Sequence, residues 1–292
     1  MGRSKVLLGL SGGGLILGLT LAMLIELVFD RTLKRPVQLE SLKIPRLISI
    51  PDWVNHDQLR IPAGEYIGNA EGFLAGPLDR KKTPWDDFLR PYVEALRDKL
   101  TLSFQLKNVT HKPKLMAITG CSQGVGTSTI AAALASAFSE TGEGKVLFVN
   151  MKAGSDDIHP LFEGQTTCPL TDAFEPNRLK AIGRGNLYLA TANSLAPGSA
   201  QMIPRRFYDL IPHIKGSGFE YIIFDMPALG PTSSTLAMAG FMDKVLLVVE
   251  AEASSLDRVR RAYAELVAAK ADVSAIFNKS RAYGPKWIQE EL

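Results

Sequence analysis

Only two cysteines, Cys121 and Cys168, occur in 292 residues, which excludes a disulfide framework and any cysteine-based zinc spacing. Such usage fits a reducing compartment. Histidine is as sparse: His56, His111, His159 and His213 lie far apart and form no ligand pair at helical or hairpin spacing. A concentrated basic face with interleaved aromatics is missing too, and with a net charge of only +3 this argues against nucleic acid as a partner. The 17 prolines and 25 glycines are dispersed, so low complexity is excluded, while 46% hydrophobic content is ample for a sizeable core. The length corresponds to about two domains.

Charge is nearly absent from one segment. Between Val6 and Phe29 only Glu26 is ionisable, and at about 1.5 Å per residue the segment is long enough for a hydrocarbon layer of roughly 30 Å. Residues 1–5 read as a short flank, 6–29 as a transmembrane helix. The apolar run is too long for a cleaved signal and no A-x-A site follows it. Gly9, Gly12, Gly13, Gly14 and Gly18 leave either a small-residue surface for another span or a lipid-facing one. Arg31, Lys34 and Arg35 follow the span, against Arg3 and Lys5 before it, which leans towards a cytoplasmic C-terminal side. Glu26 is placed to pair with Arg31 or Lys34 near that boundary. The proline-rich stretch 30–85 reads as a juxtamembrane connector, and the folded domain is expected over 86–292. It starts with a helix over 86–106 that Pro91 breaks near its beginning.

The most informative absence is a lysine. Ile118-Thr119-Gly120-Cys121-Ser122-Gln123-Gly124-Val125-Gly126-Thr127-Ser128-Thr129 follows a short apolar strand and opens an alanine-rich helix. This is the setting of a glycine-rich phosphate loop, in which backbone N–H groups cradle phosphate, a lysine reaches the β and γ phosphates, and a hydroxyl holds Mg²⁺. Thr127 stands at the lysine position. Gly124, Val125, Gly126, Thr127, Ser128 and Thr129 are the candidate nucleotide-binding residues, with ATP or ADP and Mg²⁺ the implied cofactors. Cys121, inside the loop, reads as a small filler residue, with a low-pKa thiol at a helix start as the alternative.

Downstream, apolar runs at 145–150, 187–190, 221–224, 244–249 and 273–277 alternate with helical segments at 200–215, 233–241 and 256–271. The expectation is an α/β, P-loop NTPase-like fold, a mostly parallel sheet flanked by helices, with its ligand at the carboxyl ends of the strands. Asp225 ends one such run. It is the candidate catalytic residue and, with Ser128, the candidate Mg²⁺ ligand.

These features together resemble the cytoplasmic half of bacterial polysaccharide co-polymerases fused to tyrosine autokinases, members of a deviant P-loop group that includes MinD- and ParA-type ATPases. Residues 27–32, 36–40 and 44–51 are similar to that family's second membrane span and its exit into the cytoplasm. The resemblance implies contact of Asn278 with a nucleotide base. It also implies a single-pass bacterial inner-membrane protein with a cytoplasmic C-terminal domain. Its partners would be polysaccharide synthesis or export membrane proteins, one of them supplying a periplasmic co-polymerase domain that this sequence does not contain; a homo-oligomer is also compatible.

The departures are as informative. Thr127 replaces the family's lysine, and Asn150 and Lys152 stand where such kinases carry aspartates. A subunit-contact pattern of a glutamate and two arginines falls on Pro91, Glu94 and Arg97, of which only the last agrees. Tyr283 alone follows Tyr263 where a tyrosine cluster is expected. The expected function is a membrane-anchored, catalytically degenerate module acting through protein assembly in exopolysaccharide or capsule production. The alternative is an active tyrosine autokinase or ATPase with an unorthodox site. Lys152 is expected to be a solvated lysine at a strand end, the alternative being that it swings in for the missing lysine.

Overall fold

The computed structural model describes residues 32–52, 84–152, 167–174, 186–192, 204–230 and 233–281, together with residues 14, 18–21 and 162. Eight parallel-paired strands form one sheet: β1 (Arg46–Pro51), β2 (Lys114–Gly120), β3 (Lys145–Asn150), β4 (Cys168–Pro169), β5 (Leu187–Thr191), β6 (Phe219–Asp225), β7 (Lys244–Glu250) and β8 (Val273–Ser280). Their order across the sheet is β1-β8-β7-β2-β6-β3-β5-β4. Among the described residues from 32 onwards, the helices are α1 (Val37–Ser41), α2 (Pro84–Leu106), α3 (Thr127–Glu140), α4 (Pro204–Lys215), α5 (Thr235–Ala239) and α6 (Leu256–Ala268).

The strands are apolar on both faces because both faces are covered. In β2 every residue is buried. Met116 and Ile118 point to the side lined by Leu96, Leu100, Ile130 and Leu134 of α2 and α3. Leu115 and Ala117 point to the opposite side, against Phe207, Met238, Val259 and Leu266 of α4, α5 and α6. A period of two along the strand thus divides the core into two layers.

Residue 86 does not mark the start of this fold. The stretch read as connector contributes β1, which pairs with β8, and α1, whose Leu39 is fully buried with Leu33 beside it. Short length and scattered prolines hid these elements. The Ala275 N–H donates to the Pro45 carbonyl at 2.7 Å, so a proline at the start of an edge strand contributes an acceptor where it has no donor to offer.

Pro91 does not break α2, which runs for 23 residues through it. Leu89, Val93, Leu96, Leu100 and Phe104 recur at spacings of three and four and are all buried, so one continuous apolar stripe holds the helix across the lost hydrogen bond. Arg90 adds two ion pairs beside the proline, to Glu94 at 2.7 Å and to Glu140 of α3 at 2.8 Å. The segment expected to cross a membrane, 6–29, lies almost wholly outside the described residues, and among the described residues no helix is long and apolar enough to do so.

At the amino end of the sheet Glu220 takes the ammonium groups of Lys112 and Lys114, the latter at 2.8 Å. Burial pushes its carboxyl up, but the two lysines outweigh burial and hold it below the ordinary value of 4.5. The sign follows: this stabilisation is complete above the unfolded value and is lost as pH falls through the lowered folded value. Glu220→Gln should therefore cost about 1–3 kcal/mol at pH 7. In denaturant titrations the gap from the parent should close as pH is lowered below 4.5.

Candidate nucleotide-phosphate site

The carboxyl ends of β2, β3, β6, β7 and β8 meet around residues 121–126, the turn between β2 and α3. Gly124 and Gly126 adopt φ of 80° and 92°, a region that L side chains enter only with strain. A Cβ on Gly120 would meet Val125 Cγ2 at 2.5 Å, and one on Gly126 would meet Asn278 Nδ2 at 2.4 Å. The backbone is folded tightly back on itself. No backbone acceptor among the described residues takes the N–H groups of residues 122–126. They lead directly into the amino end of α3, whose first turn holds no acidic residue. Free N–H groups next to the positive end of a helix dipole form a cradle for an anion.

Strand β8 fixes which way that cradle faces. Asn278 Nδ2 donates to the Val125 carbonyl at 2.8 Å, and Lys279 Nζ donates to the Gly124 carbonyl at 3.1 Å while pairing with Glu250 at 2.8 Å. In a planar trans peptide the carbonyl and the following N–H point in opposite directions. Holding the carbonyls of Gly124 and Val125 towards β8 therefore aims the N–H groups of Val125 and Gly126 the other way. Asn278, expected to contact a nucleotide base, has its amide engaged by the loop carbonyl of Val125. Lys279 was not singled out from sequence, and the only signal was a polar pair closing an apolar strand.

Thr127 cannot stand in for a lysine. It is buried, and its hydroxyl lies 2.9 Å from the point where a Cβ on Gly120 would be, so it packs beneath the loop. The charge comes instead from β3. Asn150 and Asp225 are paired across adjacent strands, and Asn150 Oδ1 accepts the Lys152 backbone N–H at 3.0 Å. This hydrogen bond makes an asparagine turn at the strand end. Lys152 then points back to the loop: its Nζ is 3.1 Å from Asp225 Oδ1 and donates to Ser128 Oγ.

The expected solvated lysine is therefore a buried carboxylate's partner. Its side chain retains 31% exposure against 4% for Asp225. Burial pushes the Asp225 carboxyl up, with Lys152 and Ser128 pulling the other way. The pair is close but poorly aligned, leaving Asp225 Oδ1 without a hydrogen bond in good geometry. The residues present fit a phosphate chain. They fit Mg²⁺ badly, because that ion needs near-octahedral oxygen ligands at about 2.0–2.1 Å and the Lys152 ammonium already touches both expected ligands, Ser128 and Asp225. Among the described residues no cluster of three or more His, Cys, Asp or Glu is placed to hold a metal ion.

Cys121 is no reactive thiol. Burial pushes it up to about 12, with Arg258 only partly opposing, and Cys168 rises to about 11 through burial and Asp172. Of the expected subunit-contact positions, Glu94 pairs with Arg90, and Arg97 with Asp98 and the Ala137 carbonyl, all within the chain.

Two outcomes follow from this geometry. Native protein at pH 8 should resist thiol alkylation at Cys121 until denaturant is added; rapid modification of the folded chain would contradict its burial. Gly126→Ala should destabilise by about 1–3 kcal/mol through φ strain, and a double-mutant cycle with Asn278→Ala should recover the part due to the clash.

No known family profile matches the sequence. Curated relatives do: the chain is 23% identical over 281 residues to AmsA of Erwinia amylovora, named as a candidate tyrosine-protein kinase, and 22% identical over 182 residues to the tyrosine-protein kinase YwqD of Bacillus subtilis. These alignments cover 90% and 60% of this chain, but 37% of AmsA and 76% of YwqD, so the chain spans little more than a third of its longer relative. Among solved structures, the kinase domain of the Escherichia coli tyrosine kinase ETK superposes with a TM-score of 0.63 at 21% identity, covering 86% of this chain and 98% of that domain. The likeness establishes a shared parallel-sheet, P-loop-like fold. The curated homologues of this chain are thus bacterial tyrosine-protein kinases, and it shares their parallel-sheet, P-loop-like fold.

Proposed function

We propose that this chain is a catalytically degenerate member of the bacterial tyrosine-kinase family, anchored in the bacterial inner membrane by residues 6–29, that supports exopolysaccharide or capsule production and export through protein assembly. One observation carries the degenerate reading: no lysine projects from the loop at position 127, and the cation nearest the acidic site residue, Lys152, is already paired with it. Phosphoryl transfer depends on fixed positive charge around the transferring oxygens. Losing one charge-assisted phosphate contact costs about 1.5–3 kcal/mol, so binding survives such a loss more readily than turnover. Asn150 and Lys152 also remove two carboxylates from the edge where a metal would be oriented. The polysaccharide role and the partners rest on the family resemblance of residues 27–51 and on the apolar segment ahead of them.

A second reading is favoured by the same contact. Lys152 reaches Ser128 at the loop, so an active kinase or ATPase would use it as the phosphate lysine.

The full chain in detergent, supplied with ATP and Mg²⁺, should show neither autophosphorylation nor hydrolysis. Turnover in the parent that disappears in Asp225→Ala would establish the enzymatic alternative. In cells, a C-terminal fusion should report a cytoplasmic location, whereas activity of a periplasm-only reporter would overturn the orientation. Deleting residues 1–30 should abolish the chain's contribution to polysaccharide output, and Thr127→Lys should change that output little. Unchanged polysaccharide amount and chain length after deletion of the whole gene would refute the assembly role.

A further inference from the structure

Three groups converge at the open side of the loop: the Ser128 hydroxyl at the start of α3, the Asp225 carboxylate at the end of β6, and the Lys152 ammonium after β3. In a phosphate loop the hydroxyl and the strand-end aspartate are the protein groups that face the metal. Here the point where their oxygens approach one another is filled by a cation that belongs to the chain. We propose that the Lys152 ammonium takes the place of Mg²⁺, so that this loop binds the polyphosphate of a nucleotide without divalent metal. The inference rests on the phosphate-loop reading of the site and not on the absence of turnover.

Several features support it. Lys152 does not arrive there by chance of a long side chain, because Asn150 Oδ1 holds its backbone N–H at 3.0 Å and sets the direction of the turn. Asn150 is neutral, so among the described residues the Lys152 ammonium faces the single carboxylate of Asp225 beside an uncharged amide, with no second carboxylate there to add negative charge for a divalent ion. Asp225 is 4% exposed, and its Oδ1 lacks an aligned hydrogen bond. A carboxylate buried to that degree requires a cation within reach, and the lysine satisfies it permanently. The Lys152 side chain retains 31% exposure, so the ammonium is not sealed off from an incoming ligand. An arriving Mg²⁺ would have to displace the ammonium from both oxygens or lie against it, and like charges in such proximity repel. A nucleotide carrying its own Mg²⁺ should therefore bind no better than the metal-free form.

The test is calorimetric titration of the full chain in detergent with ADP and with ATP, in EDTA and in excess Mg²⁺. The expected result is binding in EDTA at least as tight as binding in Mg²⁺. Lys152→Ala should weaken the EDTA-phase affinity by about tenfold or more, the scale of one charge-assisted contact. Because that variant leaves Asp225 without its cation, Lys152→Ala/Asp225→Asn, which has no orphaned buried charge, should show the same loss and an unfolding midpoint near that of the parent. Replacing both positions, Asn150→Asp with Lys152→Asp, should reverse the preference and make binding depend on Mg²⁺. Tighter binding in Mg²⁺ by tenfold or more in the parent would overturn the inference, as would no binding under either condition, which would mean that the Lys152 bridge closes the site to phosphate. Metal-dependent binding without turnover defeats this inference and leaves the degenerate reading standing. Metal-free binding accompanied by turnover does the reverse.

Discussion

A carboxylate with 4% of its side chain exposed, at the carboxyl edge of a fully covered parallel sheet, has to be matched by a cation, and in this chain the cation is covalently attached. Much of the site's arrangement follows from satisfying Asp225. Its strand is flanked by β2 on one side and β3 on the other, with Ile118 and Asn150 as its register partners. That register brings the end of β3 within one lysine's reach of the start of α3. The same closeness that would let a metal bridge Ser128 and Asp225 lets Lys152 do so.

The loop is the complementary half of this arrangement. Its N–H groups require a ligand or solvent, while its carbonyls are consumed by β8 through Asn278 and Lys279. A strand near one edge of the sheet therefore determines the orientation of a turn that starts from the middle of it. Strand β8 is in turn flanked on its outer side by β1, and Ser280 donates to the Ile50 carbonyl at 3.2 Å. The segment after the apolar N-terminal stretch is thereby tied, through two strands, to the phosphate cradle. This continuity gives the region between residues 32 and 52 a structural reason to be present wherever the loop has to be held in shape.

How much of this is legible in the sequence depends on the range of the interaction concerned. The β2 strand, the glycine turn and α3 are readable because each is local: an apolar run, glycines where φ is positive, and an alanine-rich stretch. The later strands are readable for the same reason, since both faces of the sheet are buried and the runs are continuously apolar. Strand β1 is not, because Arg46-Leu47-Ile48-Ser49-Ile50-Pro51 has a proline at its end and is stabilised by pairing with a segment over 200 positions later. The continuity of α2 across Pro91 is hidden likewise, since its stripe of leucines is held by α3 and the sheet rather than by helix propensity. At the site, Asp225 and Ser128 were singled out from the sequence and Lys152 was weighed as a substitute for the missing lysine, but its contact with the buried Asp225 carboxylate was not foreseen. A lysine after a strand is normally solvated, and only the Asn150 turn together with the cross-strand register brings it inward.

Asn150 and Lys152 consequently act as a pair. An aspartate at residue 150 beside Lys152 would place a second carboxylate next to Asp225, which would compete for the ammonium and favour a divalent ion. A lysine at residue 152 without the asparagine turn would lose the hydrogen bond that directs it and would find water more favourable than a partly buried position. Neither residue does this alone, since the Asn150 turn places the Lys152 ammonium against the Asp225 carboxylate at the edge of the sheet. A site balanced in this way is relieved of the need to recruit a metal for its own stability. On the proposed metal-free reading it would also lack the freely exchangeable, doubly charged centre that phosphoryl transfer uses to stabilise charge as it moves. Under that reading, the contact that stabilises Asp225 favours ligand holding over chemistry.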